Sequence, residues 1–313
     1  MPFAVETPLW ESEPLQEILG APVLLKMEAL QPCGSFKIRG LGRVCATRVA
    51  GGATHLWCSS GGNAGLAVAY AGKRLKVPVT VVVPETTSAW ARAGIAAQGA
   101  EVVESGAHWY AAHQYAQEHM SEGAAYIHPF DDPEIWAGHA PMIGEVARQG
   151  PKPGAVVVAV GGGGLLCGVL SGMHAVGWTD VPVLAVETEG AASLAAAMAA
   201  GEVVALDKIT SLATTLGARA VAEEALEWTR RHAAIQSVVV SDRAAVQACL
   251  RFADDHRVLV EPACGAALSV VYDRNPALTT ALDGPVLVIV CGGAGVSAAL
   301  LRGWDERTRG TAA

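Results

Sequence analysis

The sequence predicts an α/β protein with mainly parallel sheets, divided into two lobes. Short runs of Val, Ile and Leu recur along it, each followed by a glycine-rich or polar turn and then by an alanine-rich stretch with helical spacing. That alternation is the pattern of parallel sheets with crossover helices. Hydrophobic residues make up 51% and charged residues 17%, which is ample apolar material for a large core. At 313 residues the chain exceeds what one compact core usually organises, so two lobes sharing a cleft are expected, and the cleft is where chemistry belongs.

In chain order the expected strands are Val23–Met27, His55–Cys58, Val79–Val83, Glu101–Glu104, Ala155–Val160, Val183–Val186, Ser237–Val240 and Val286–Val290. Helices are expected over Ala107–Met120 and Asp242–Asp255, the second opening behind Ser241 as its N-cap. No linker rich in Pro, Gly or Ser marks a boundary, and no repeat of solenoid length occurs. One small device does recur: a buried strand running into a glycine-rich loop, at Trp57–Asn63, at Val158–Gly164 and at Val288–Gly293. Ligands of open parallel sheets sit beyond the carboxyl ends of the strands, where all three loops fall.

Charge narrows the function. The net charge is -8 and the Lys and Arg residues are scattered singly, which excludes the basic footprint that nucleic acid or anionic lipid requires. A small-molecule partner is expected. Glu6 and the lack of an apolar run in residues 1–10 exclude a secretory signal. Seven cysteines without paired spacing read as reduced thiols of a cytoplasmic protein, with Cys33, Cys45, Cys167, Cys249 and Cys264 as buried hydrophobes. Residues 154–179 and 284–300 carry no Asp, Glu, Lys or Arg, but their glycines make each read as strand, loop and helix, not as a membrane span.

Gly161, Gly162, Gly163 and Gly164, followed by Leu165 and an apolar helix, offer bare backbone N–H groups that can converge on an oxyanion such as phosphate. Four consecutive glycines cost entropy that a plain turn does not need. No Lys-Ser/Thr pair follows and the spacing is not that of a dinucleotide fingerprint. Within Gly34-Ser35-Phe36-Lys37-Ile38-Arg39-Gly40, Phe36 supplies a flat aromatic face beside an amine. A lone lysine is usually a solvated surface group, yet one held near cations or apolar groups can form a Schiff base. His55, His108, His113 and His119 read as surface or satisfied structural histidines, and Asp131 and Asp132 before Pro133 as a turn and N-cap.

Together, Gly34–Gly40, the Ser-Ser-Gly-Gly-Asn-Ala-Gly run at 59–65, Gly161–Gly164 and Glu261-Pro262-Ala263-Cys264-Gly265 resemble the fold-type II (tryptophan synthase β-like) pyridoxal-phosphate enzymes. The chain is most similar to the serine dehydratase and serine dehydratase-like group, from Thr7-Pro8-Leu9 to Cys291-Gly292-Gly293. Pro129-Phe130-Asp131-Asp132-Pro133 with Trp136, Gly138 and His139 is a specific part of that resemblance. It implies a larger cofactor-binding domain of residues 1–35 and 140–313 and a smaller domain of 36–139. Lys37 would carry pyridoxal 5'-phosphate as a Schiff base, Phe36 would cover one ring face and Asn63 would bond the ring hydroxyl. Gly161–Leu165 would hold the phosphate and Cys291 would face the pyridine nitrogen. Ser59, Ser60, Gly61, Gly62 and Asn63 would take the substrate carboxylate. A monovalent cation, K+ in the first instance, would lie at Gly161, Glu187, Ala191, Ser193, Leu216 and Ala218.

The activity implied is removal of water and then ammonia from L-serine or L-threonine, by a homodimer. Lys37 would be both tether and general base. A thiol at Cys291 is neutral below about pH 8.5, so the ring nitrogen would stay largely unprotonated. Two positions depart from the group. Thr215 stands where a small apolar residue is common against the other ring face, and Gly61 where some relatives have Ala; both bear on substrate preference and rate. Serine racemisation, β-replacement with sulfide and non-catalytic amino-acid binding are the alternatives on this scaffold. The resemblance ends near residue 300, so no effector domain and no isoleucine inhibition are expected.

Overall fold

The apolar runs become strands β1 (Leu9–Glu11), β2 (Val23–Lys26), β3 (His55–Ser59), β4 (Val79–Val83), β5 (Glu101–Glu104), β6 (Ala124–Ile127), β7 (Ala155–Ala159), β8 (Val183–Thr188), β9 (Ile235–Val240) and β10 (Val286–Ile289). The computed structural model describes residues 3–279 and 283–309. Expectations about the tail beyond 309 lie outside the described residues. The chain divides into two compact units.

The smaller unit comprises the described residues up to Val5 and Gln31–His139. Its four-stranded sheet has the order β5-β4-β3-β6, with every pairing parallel. β4 is buried along its length, as a central parallel strand must be. Helices Lys37–Ala50 and Asn63–Leu75 bury Ile38, Leu41, Val44, Ala67 and Val68 in one core with Leu56, Cys58, Val81 and Val83. A Cβ at Gly40 would stand 2.6 Å from the Ile135 carbonyl, and one at Gly138 2.7 Å from the Gly40 Cα. Helices Lys37–Ala50 and Pro133–His139 therefore cross backbone against backbone, which fixes where Lys37 begins its helix.

The larger unit holds Glu6–Leu30 and the described residues from Ala140 on. Its six-stranded sheet runs β1-β2-β10-β7-β8-β9, with β1 antiparallel to β2 and the other pairings parallel. β2, β7, β8 and β10 are buried throughout, and helix Pro262–Tyr272 is buried at every residue. The boundary expected at residue 35 needs correction, since the segments ending at Val5 and beginning at Gln31 belong with the smaller unit. Two hydrogen bonds join them, Val5 N–H to Gln31 Oε1 (3.0 Å) and Gln31 Nε2–H to the Val5 carbonyl (2.8 Å), and Phe3 packs on the smaller unit's core.

Each sheet reverses its direction of growth once. In the smaller, β3 is followed outward by β4 and β5, and β6 then returns to the other side of β3. In the larger, β7 is followed by β8 and β9, and β10 returns to the other side of β7. Adjacent connections that leave in opposite directions open a crevice at the carboxyl ends of such strand pairs. The three glycine loops follow β3, β7 and β10, which are members of these pairs. No helix among the described residues is long and apolar enough to cross a membrane.

β1 and β6 escape the sequence reading; the other strands fall within two residues of expectation at each end. Ser241 caps its helix, accepting from Ala244 N–H (3.2 Å). Asp132 accepts from Glu134 N–H (2.8 Å) in the turn expected there. His108 caps helix Trp109–His119 by accepting from Ala111 N–H.

Candidate active site

In the smaller unit, Lys37 opens its helix behind Phe36 and its Nζ donates to the Pro129 carbonyl (2.7 Å), in the loop after β6. The ammonium lies 5.3 Å from the Phe36 ring centroid. The opposite strand of the reversal, β3, ends at buried Ser59, and Ser60, Gly61 and Gly62 lead into helix Asn63–Leu75. No side chain caps that helix, so Ser59 and Ser60 are not its N-caps and its first amides keep their capacity for an outside acceptor. The glycines are sterically dictated. A Cβ at Gly65 would lie 2.1 Å from the Ser60 carbonyl, and one at Gly61 would lie 2.4 Å from Thr87 Oγ1 and 2.6 Å from Thr87 Cγ2. Here Thr87 is the physical reason for glycine at 61.

Beneath this loop is a network the sequence does not reveal. Ser59 Oγ and Tyr126 Oη are 2.5 Å apart, and Tyr126 Oη is 2.6 Å from His113 Nδ1. Trp109 Nε1–H donates to the Ser59 carbonyl (2.7 Å) and the Trp109 ring stacks on His113. Burial pushes the Tyr126 phenol up and the His113 imidazole down, so both are held neutral. His128 is pushed down to about 4 by burial first, then by His113 and Lys37, and its Nδ1 accepts from the N–H groups of Phe130 (3.3 Å) and Asp131 (2.8 Å). That acceptance shapes the loop presenting the Pro129 carbonyl to Lys37. His139, buried and edge-on to Phe36, is lowered well below its usual range by burial and by the charges of Lys37 and Arg39.

In the larger unit, β7 runs through Val160 into Gly161–Gly163, and helix Gly164–Ala175 follows without a side-chain cap. Gly163 has φ +88°, and a Cβ on it would stand 2.5 Å from Ala225 Cβ; one on Gly161 would stand 2.9 Å from Leu216 Cα. Leu165 is buried in the first turn. After β10, the Cys291 thiol is buried and hydrogen-bonded with Cys264. That bond, then burial, then the charge of Glu261 push it well above the usual thiol range, so it stays neutral. Glu261 is a residue whose role the sequence reading misses. Its side chain turns away from its own helix to accept from Thr215 Oγ1–H (2.9 Å) and Gly295 N–H (2.6 Å), so the Thr215 hydroxyl is engaged.

Of the six positions expected around a cation, Gly161 and Ser193 are joined directly, Ser193 Oγ–H donating to the Gly161 carbonyl (3.4 Å), and Leu216 packs on Gly161. Glu187 is buried; burial raises its carboxyl to about 7 against the lowering effect of Leu194 N–H (2.7 Å) and Ala195 N–H (2.8 Å), which it accepts. Ala218 N–H donates to the Leu216 carbonyl (2.7 Å), and Ala191 N–H to the Thr188 carbonyl (2.9 Å).

Residues 1–292, spanning all of these elements, match the family of pyridoxal-phosphate dependent enzymes. The chain belongs to that family. It is 48% identical over 310 residues to the serine dehydratase-like protein of Rattus norvegicus, covering 96% of this chain and 94% of the relative. It is 46% identical over 316 residues to the L-serine dehydratase/L-threonine deaminase of Homo sapiens, covering 98% and 96%. In structure it is similar to a fungal L-serine ammonia-lyase from Rhizomucor miehei, with TM-score 0.92, 35% identity, and coverage of 98% of this chain and 99% of that one. The fold is accordingly that of the fold-type II pyridoxal-phosphate enzymes. The residues fit such a cofactor. The cradle at Gly161–Gly164 would be filled by any Cβ at 161 or 163, and its uncapped helix start suits a phosphate. An amine stands beside an aromatic face at Lys37 and Phe36.

Proposed function

We propose that this chain is an L-serine and L-threonine dehydratase, converting serine to pyruvate and threonine to 2-oxobutanoate, each with release of ammonia. The observation that carries the reading is that one amine, Lys37 Nζ, and one carboxylate-sized donor loop, Ser59–Asn63, flank the β3/β6 reversal of a single unit. The names of the rat, human and fungal relatives support it.

In this reading Lys37 tethers pyridoxal 5'-phosphate, Phe36 covers the ring, and Asn63 meets the ring hydroxyl. Gly161, Gly162, Gly163, Gly164 and Leu165 hold the phosphate, with Thr215 at the second ring face and Cys291 at the pyridine nitrogen. The bound cofactor draws electrons from the substrate's α-carbon and so makes its proton removable. Ser59, Ser60 and the amides of Gly61 and Gly62 hold the α-carboxylate. The amine of Lys37, displaced from its tether by the substrate's amine, takes the α-proton at Nζ. One N–H of the neutral amine stays on the Pro129 carbonyl, and the lone pair remains for the proton. The β-hydroxyl then leaves as water, and hydrolysis of what remains yields the 2-oxo acid and ammonia. Cys291, as a neutral thiol, leaves the ring nitrogen unprotonated, which favours prompt loss of the hydroxyl over return of the proton.

We further propose that K+ occupies the Gly161, Glu187, Ala191, Ser193, Leu216 and Ala218 region, and that the enzyme works as a cytoplasmic homodimer. Seven unpaired, buried cysteines support a reducing compartment. Replacing K+ by tetramethylammonium should lower activity, and light scattering should give twice the chain mass. Borohydride reduction of the holoenzyme followed by peptide mapping tests the central assignment. The label is expected on the peptide containing Lys37; label on Lys26, which is buried against Glu145, or on Lys208 would overturn it. Assays with L-serine, D-serine, L-threonine and sulfide separate the dehydratase from a racemase or a β-replacement enzyme.

A further inference from the structure

Ser59 is gripped at both ends by one helix. Trp109, in the first turn of Trp109–His119, donates to the Ser59 carbonyl. His113, one turn later, meets the Tyr126 hydroxyl that meets Ser59 Oγ. Trp109 and His113 are stacked with ring centroids 5.0 Å apart at 20°, so the two grips share one helix face. A hydroxyl donates one hydrogen bond, so the chain Ser59–Tyr126–His113 can run in only two senses. If His113 Nδ1 accepts, Tyr126 donates to it and Ser59 donates to Tyr126, which leaves Ser59 no proton for a ligand. If His113 Nδ1–H donates, Tyr126 donates to Ser59 Oγ, and the Ser59 O–H is left for an outside acceptor. A carboxylate only accepts, so it selects the second sense, and a chain of aligned donors strengthens each bond in it. The rings facing His113 are Trp109, Tyr110, Tyr126 and His128, none of them an anion that would compete for the Nδ1 proton.

We propose that His113 and Tyr126 are positioning residues that commit the Ser59 hydroxyl to donating to the substrate's α-carboxylate. This rests on the reading of residues 59–63 as the carboxylate site. The test uses holoenzyme, following the cofactor absorption band on titration with L-serine and with L-serinamide, which has no carboxylate, alongside KM and kcat. Tyr126→Phe removes one hydroxyl. It should raise KM and the spectral dissociation constant for L-serine about tenfold, with kcat and L-serinamide affinity within about twofold of wild type. His113→Phe should act in the same direction, whereas His113→Asn, whose amide N–H can stand where Nδ1–H stands, should restore most of the L-serine affinity. This half-exposed position provides an independent reading should Tyr126→Phe not fold. Equal losses for L-serine and L-serinamide, a loss in kcat alone, or failure of His113→Asn to outperform His113→Phe overturns the proposal. Ser59→Ala separates the two levels. If it leaves L-serine affinity unchanged, the carboxylate-site reading falls; if it weakens L-serine while Tyr126→Phe does not, only the positioning role falls.

Discussion

Ser60–Gly62 follows β3 and Gly161–Gly163 follows β7; each leaves the strand at which its sheet reverses, and each enters a helix that no side chain caps. Their linings differ. The first loop is bordered by Ser59, Ser60 and Asn63, and its Gly61 is hemmed in by the Thr87 side chain at an ordinary backbone conformation. The second carries no polar side chain; Gly161 abuts the Leu216 backbone and Gly163 adopts φ +88°. Side-chain donors can be exchanged to discriminate among ligands, whereas a cradle of amides can only grip an oxyanion common to every turnover. The first loop therefore suits the substrate and the second the cofactor phosphate.

The largest effect that tests this division is at Lys37. Lys37→Ala removes both tether and base from the smaller unit while leaving the second loop intact. Turnover should fall by at least about a thousandfold, yet cofactor should still bind weakly and without a covalent bond. Dialysis of the variant with an absorption readout checks this; complete loss of binding would mean that the glycine cradle contributes little. Gly163→Ala is the converse. A side chain there is strained by its φ and overlaps Ala225, so cofactor affinity and stability should together drop by about 2–4 kcal/mol. Cofactor-free protein from this variant, recombined with saturating cofactor, should keep a near-normal KM for serine. A KM that rises with the cofactor dissociation constant would merge the two loops into one function.

How far these features can be read from sequence follows from their range. Strands such as Val79–Val83 declare themselves by composition, and the glycine loops by residues that local φ or close approach demands. β6 begins Ala124-Ala125, with neither the β-branching nor the alternation that marks a strand, and so does not. Long-range pairs are silent too. Tyr126 lies 67 residues from Ser59, and Glu261 lies 46 from Thr215, so nothing near either announces a hydrogen bond. The misplaced boundary at residue 35 has the same origin, since only folding brings Gln31 to Val5. His113 reads as an ordinary helix histidine because its partner comes from another strand.

The smaller unit also has an acid sensitivity that the second loop lacks. His128 has its folded pKa lowered to about 4 from 6.5, burial being the chief cause. Between those values the unfolded chain binds more protons than the folded one, so stability is fully present above pH 6.5 and is lost as pH falls towards 4. At about 1.4 kcal/mol per pKa unit, the loss amounts to about 2–3 kcal/mol. His128→Asn keeps an acceptor for the Phe130 and Asp131 amides without the titration, and should flatten the unfolding midpoint over that range. A pH profile parallel to wild type would assign the acid loss to other groups.

The smallest effect sharpens the contrast between the two glycines most directly. Gly61→Ala should cost about 1–2 kcal/mol and weaken serine binding, because its methyl would meet both branches of Thr87 and no rotation of that side chain clears them. Thr87→Ala removes both branches and leaves only its Cβ, at 3.1 Å, a distance that a few tenths of an ångström of movement relieves. The double variant should therefore recover most of the stability and serine affinity, while Thr87→Ala alone stays close to wild type, giving a coupling of about 1 kcal/mol in a double-mutant cycle. No second-site change of this kind can rescue Gly163→Ala, since removing the Ala225 overlap leaves the backbone strain in place. Strictly additive effects at 61 and 87 would show that the loop bends away from Thr87, and its glycine would then owe its place to ligand approach instead of packing.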